Sequence, residues 1–261
     1  YFLKRIPEPV QRAEPDGPVF RTRWRDLLRD GGFVRLLIFS ATVQLFVLST
    51  AAFVTVFVRE EVGIADGAIL WLTAMAALAG IGALRLMRSR IDRLGSRPFL
   101  GLVFLWWAGY YLAWFALAAN LVGSRHLLAP MLLIAAGFFA SIYELSLTRL
   151  LMNTAGDRPA MTQYFALQSV LVSLLAGLSP ILWGWLLDTL HATSVTVGRL
   201  TLDGYALFFG FQWLMLSVVF LALMQVKEGN AARTSALLYR VFVAAPGQAM
   251  AGITHRGHFH L

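Results

Sequence analysis

RLMRSRIDRLGSRPFLGLVFLWWAGYYLAWFALAANLVGS, Arg85 to Ser124, joins two opposite kinds of sequence. Its opening part sets Arg85, Arg88, Arg90, Arg93 and Arg97 around a single acid, Asp92. The 27 residues that follow, Pro98 to Ser124, hold no charge at all. About 20 apolar residues at 1.5 Å rise cross a hydrocarbon core of roughly 30 Å. Backbone N–H and C=O groups inside that core must pair within the segment, so the run is predicted to be a transmembrane helix.

Five more charge-free runs extend the pattern: Leu36–Val58, Gly67–Leu84, His126–Tyr143, Pro159–Leu187 and Gly204–Val226, each of 18 to 29 residues. Of the 261 residues 58% are hydrophobic and 14% charged, where globular chains run at about 45–50% and about 25%. Mean hydropathy is +0.67. The fold class expected is an all-α membrane protein of six transmembrane helices, at about 34–58, 67–87, 99–119, 127–152, 160–187 and 204–226. Residues 1–33, with Pro7, Pro9, Pro15 and Pro18, read as a cytoplasmic linker carrying a short surface helix near Arg23–Arg29. Residues 227–261 read as a cytoplasmic tail, with Ala236–Val243 as an amphipathic surface segment.

The net charge of +8 invites a nucleic-acid reading, and its distribution excludes one. Nineteen of the 22 Lys and Arg fall in connectors on one side of the membrane, leaving Arg59, Arg125 and Arg199 on the other. The positive-inside rule then places both termini in the cytoplasm, in a bacterial inner membrane. With no cysteine there are no disulfides or thiolate ligands. His255, His258 and His260 stand without carboxylates beside them and read as a His-bearing terminus, so neither metal nor other cofactor is expected. The opening Tyr1-Phe2-Leu3 before Lys4-Arg5 looks like the tip of a helix leaving the membrane, which suggests that further chain precedes it.

Polar side chains divide the spans. Spans three and six are almost wholly large and apolar and are expected on the outside, against lipid. The other four carry amides and hydroxyls and are expected inside, beside a polar cavity. Gln44, Tyr143, Gln168 and Ser169 are the candidate substrate contacts; such groups also serve as glue between helices. Ala76, Gly80 and Gly82 suit close helix approach. Gly177, Pro180 and Gly184 mark a bend in span five, since proline removes a ladder hydrogen bond.

The arginine segment also carries a family resemblance. DRLGSR, Asp92 to Arg97, resembles the cytoplasmic loop of the major facilitator superfamily, G-x-x-x-D-R-x-G-R-R/K, departing from it at the leading glycine (Arg88 or Ser89 here) and at Ser96. IYELSLTR, Ile142 to Arg149, is similar to the E-x-x-x-x-R element that partners this loop, and GLSPILWGWLLD, Gly177 to Asp188, to the Gly/Pro-rich fifth helix of a half. The resemblance implies the C-terminal six-helix half of a secondary transporter of a small-molecule solute. Residues 1–33 would be the central loop, and an N-terminal six-helix half of the same protein the partner. It further implies that Asp92, Arg93, Arg97, Glu144 and Arg149 form a charge latch closing the cytoplasmic side. Read physically, the arginines also anchor topology, and Glu144, the one acid within the spans and about 13 Å from an end near Asn153, is of a kind that also relays protons. Two alternatives stand beside this one. The first is a standalone six-span protein acting as a homodimer. The second is an intramembrane enzyme, disfavoured because His126 and His191 sit at span edges without a carboxylate cluster.

Overall fold

The computed structural model describes residues 24–156, 161–191, 195–197 and 200–226. After a short helix α1 (Trp24–Leu27) come α2 (Gly31–Phe46), a 3-10 turn (Leu48–Thr50) and α3 (Ala51–Glu60), which together make the first span. Then follow α4 (Asp66–Leu94), α5 (Arg97–Ala118), α6 (Arg125–Ala155), α7 (Met161–His191) and α8 (Gly204–Gln225). A two-stranded antiparallel hairpin, β1 (Val195–Val197) and β2 (Leu200–Leu202), lies in the connector before α8. The chain is a six-span helical membrane protein, with spans at Gly31–Glu60, Asp66–Arg88, Arg97–Ala118, Arg125–Ala155, Met161–Leu190 and Gly204–Gln225. The linker before Trp24 and the tail after Val226, with its histidines, lie outside the described residues.

Local chemistry sets the helix ends. Asp30 caps α2, accepting from the N–H of Gly32 (3.0 Å) and Phe33 (3.3 Å), and Asp203 caps α8, accepting from Ala206 N–H at 2.8 Å. Each satisfies an orphan donor of a first turn. Gly95 (φ 87°) and Gly156 (φ 59°) end α4 and α6 in conformations that L side chains avoid. The 31 residues of α6 make a rod of about 46 Å, longer than the hydrocarbon core, so its ends project into the headgroup layers or the helix tilts.

Two expectations need correction. The arginine segment was expected as a connector entering span three, but α4 runs on through Leu94, and only Gly95 and Ser96 separate it from α5. Nothing in RLMRSRID breaks a helix, and Gly95 is the first residue that does. Spans three and six, expected outermost, pack more deeply within the chain than spans two, four and five. Their central windows are each 39% buried within the chain, against 17% for spans two and five and 22% for span four. Aromatic rings are the reason: Phe57 of span one packs between Trp114 (5.8 Å), Tyr205 (5.1 Å) and Phe209 (5.4 Å). Phe104 meets Phe220 at 5.0 Å. In lipid such interlocking, rather than exclusion from water, holds helices together.

α4 packs chiefly on α6, which runs parallel to it. The two approach through small residues: a Cβ on Gly137 would run into the backbone of Ala76, and one on Gly80 would strike Ser141 Oγ and lie 3.2 Å from the Gly137 carbonyl. Ala76 and Gly80 thus do what their spacing suggests, while Gly82 faces open space. Gly137→Ala is expected to lower the unfolding free energy by about 1–3 kcal/mol in a denaturant titration in micelles, and Gly82→Ala to leave it unchanged. Equal effects at the two positions would refute the close contact.

Candidate functional site

The arginine-rich end of the bundle collects the ends of α4 and α6 and the starts of α2, α5 and α7. Arg97 opens α5 and is half-buried, next to a fully buried Ser96 and to Pro98. Arg149, six residues from the end of α6, is also half-buried. Asp92 and Arg93 lie in the last turn of α4, and their side chains fall outside the described residues. Glu144 stands apart: its side chain is exposed, and among the described residues no ion pair reaches it. It lies eleven residues from Ala155, about 16 Å along the axis, inside a span.

A contact not foreseen from the sequence ties this end together. The Asp30 carboxylate that caps α2 also accepts from Tyr164 OH on α7 at 3.3 Å. The Tyr164 ring meets Phe33 edge-on at 4.6 Å. One acid therefore joins the start of span one to span five.

The candidate cavity residues lie on three helices, α2, α6 and α7. Gln44 is buried in α2. Tyr143 is buried too, its ring 5.4 Å from Trp107 and 6.3 Å from Phe39, so it packs between helices. Gln168 is half-buried and Ser169 exposed on α7. Pro180 lies within an otherwise unbroken α7; Gly177 faces open space, and a Cβ on Gly184 would lie 4.0 Å from the Phe53 ring of span one. A cleft of about 360 Å³ between α4 and α6 is lined by Ala79, Met131, Ile134, Ala135, Phe138 and Phe139, every one apolar, and contains none of the candidates. Among the described residues no three His, Cys, Asp or Glu side chains gather to hold a metal.

Polar chemistry concentrates instead where span one breaks. Between α2 and α3 the ladder slips: Thr50 N–H bonds to Val47 O and Ala51 N–H to Leu48 O, each three residues back. Neighbouring spans cover the displaced carbonyls. Trp183 Nε1 on α7 donates to Leu45 O (2.7 Å) and lies 3.2 Å from Ser49 Oγ. Tyr111 on α5 donates to Val47 O at 3.1 Å, with Phe46 O at 3.4 Å and Thr50 Oγ1 at 2.5 Å. Tyr111 is fully buried and Trp183 nearly so. Gln212 of α8 is likewise fully buried, and neither of its amide atoms has a hydrogen-bond partner among the described residues. Sequence reasoning missed Tyr111, Trp183 and Gln212 because each sits in an apolar run where aromatic and amide groups read as filler. The visible signal was the adjacent Ser49 and Thr50, hydroxyls that bond back to Leu45 O (2.6 Å) and Val47 O (2.6 Å).

Compared with known proteins, the chain matches no family model, no curated protein and no solved structure.

Two stability measurements follow from the arginine-rich end. Asp30→Ala should cost about 0.5–2 kcal/mol through the lost cap, with Tyr164→Phe costing less. Glu144→Gln should change the unfolding free energy by no more than about 0.5 kcal/mol, because no described ion pair is broken. A Glu144→Gln loss larger than that of Asp30→Ala would instead reveal a buried charge pair.

Proposed function

We propose that this chain is one six-helix half of a secondary transporter of the major facilitator type, moving a small solute by alternating access. In this reading its ends face the cytoplasm of a bacterial cell, and an N-terminal six-helix half completes the molecule. The observation that carries the reading is the uneven burial of the spans. Spans two, four and five are only 17%, 22% and 17% covered by the rest of the chain, against 44% for span one. Their exposed positions include Thr73 on α4, Glu144 on α6, and Thr162, Ser169 and Ser173 on α7. Hydrocarbon solvates a carboxylate poorly, and intramembrane acids face a bundle interior or water. A transporter built of two repeats puts such a face against its other repeat, around a site near the midplane. The DRLGSR segment at the end of α4, with its likeness to the superfamily loop, supports the same assignment.

Glu144 serves the latch in this proposal by pairing with an arginine of the Arg85–Arg97 segment in the conformation in which that end is closed. A homodimer of six-span chains would use the same exposed faces, and the two are separable.

The test is the intact mass and span count of the native gene product. A twelve-span polypeptide of about twice 28.9 kDa supports the proposal. A 28.9 kDa product that forms dimers turns it into the homodimer, and one that stays monomeric defeats both. Because the chain lacks cysteine, single cysteines report directly on water. In membranes Ser173→Cys and Glu144→Cys are expected to react with a water-soluble maleimide, since the thiolate needs an aqueous path. Leu214→Cys, on an exposed apolar position of α8, is expected to stay unlabelled. Equal protection at all three would place these faces in lipid and sink the reading.

A further inference from the structure

The break in span one has an unusual cause. Sharp interruptions of helices trace to proline, to glycine or serine pairs, to π-bulges, or to a side chain entering the ladder. From Phe33 to Glu60 there is neither proline nor glycine. What the break does have is a set of donors from other helices, and their targets are telling. In a continuous helix the N–H groups of Ser49, Thr50 and Ala51 would bond to the carbonyls of Leu45, Phe46 and Val47, four residues back. Those are the carbonyls to which Trp183 Nε1 and Tyr111 OH are directed. Spans three and five have taken the acceptors that span one needs to stay straight.

We propose that span one is a two-state helix: broken at Val47–Thr50 while Tyr111 and Trp183 hold its carbonyls, and continuous from Gly31 to Glu60 when they withdraw. Both states give the displaced carbonyls a donor: an indole and a phenol in the first, their own ladder in the second. That suits a segment within hydrocarbon, where an unpaired backbone group is costly. Ser49 and Thr50 ease the change, because their hydroxyls already bond to Leu45 O and Val47 O and serve in either state.

A partner for a freed group in the second state lies on α8. Phe208 of α8 packs on Phe53 of span one at 5.4 Å, and Gln212, four residues on, lies on the same face. Its flanks are set by Phe209 against Trp114 and Phe211 against Trp183. Gln212 is therefore a buried donor and acceptor, unused in the broken state, beside the two spans that supply the clamps. It takes the hydrogen-bonding groups of Tyr111 or Trp183 once they leave span one.

The inference rests on the six-span fold and not on transport, and its readout is a distance rather than uptake. Spin labels on Ile38→Cys and Val56→Cys, both exposed positions of span one, flank the break in a chain with no other cysteine. In a straight helix 18 residues span about 27 Å, and the 3-10 turn changes both the rise and the direction of the segment between the labels. In lipid nanodiscs the background chain should give a distance that departs from that value. Tyr111→Phe, which removes one oxygen, should move part of the population toward about 27 Å, and Tyr111→Phe with Trp183→Phe most of it. Gln212→Leu, added to Tyr111→Phe alone, should diminish that shift, because the freed Trp183 N–H then has no acceptor on α8. An unchanged distance in both clamp variants, with helical circular dichroism preserved, overturns the proposal. So does straightening by Ser49→Ala with Thr50→Val alone, since the break would then be local in origin.

Discussion

Hydrocarbon offers a peptide group nothing to bond with, and every feature of this protein answers to that constraint. It turns six apolar runs into helices. It requires caps where helices meet the headgroup layers, met at two of them by Asp30 and Asp203. It also dictates that where the first span leaves the α-helical ladder, the displaced carbonyls must find donors on other spans. Tyr111 and Trp183 are those donors. Two aromatic residues that read in the sequence as apolar filler of spans three and five thus hold the irregular stretch of backbone in the first span.

Packing follows from the lack of a hydrophobic driving force between helices already in lipid. What remains is contact quality, and the chain obtains it in two ways. Around span one it uses rings, with Phe57 enclosed by Trp114, Tyr205 and Phe209. Between α4 and α6 it uses the absence of side chains, at Gly137 and Gly80. The first gives a core of spans one, three and six; the second hangs α4 on α6 with most of its surface uncovered.

The spans were legible because hydropathy and length report on the solvent, and the solvent decides helix existence. Their ends were nearly so, since Gly95, Gly156 and Asp203 are local signals. Two things were not legible. The depth to which spans three and six pack within the chain was one, because aromatic content identifies a helix that packs on rings as readily as one that faces lipid. The break was the other: its local sign is the Ser49-Thr50 pair alone, and the donors that hold it lie 61 to 138 residues away in sequence. Of the candidate site residues, Glu144 was singled out as the lone acid in the spans, and its exposed, unbridged position adds what sequence lacked. Gln44 and Tyr143 were chosen on polarity alone, and the structure shows both enclosed among neighbouring helices.

The α4–α6 pair bears on how the protein is made. α4 enters the membrane before its partner exists, since all of α5 must be synthesised between them. During that interval α4 has only lipid and the preceding span for company. Its composition allows the wait: apart from Thr73 the stretch from Gly67 to Leu84 is apolar or glycine, so no polar group demands a partner. When α6 arrives, the bare backbones at Gly80 and Gly137 leave room for Ser141 and for the backbone of Ala76, so the two helices meet without displacing either. Assembly at this seam is therefore a late docking of two finished helices, and its fidelity depends on a pair of missing β-carbons.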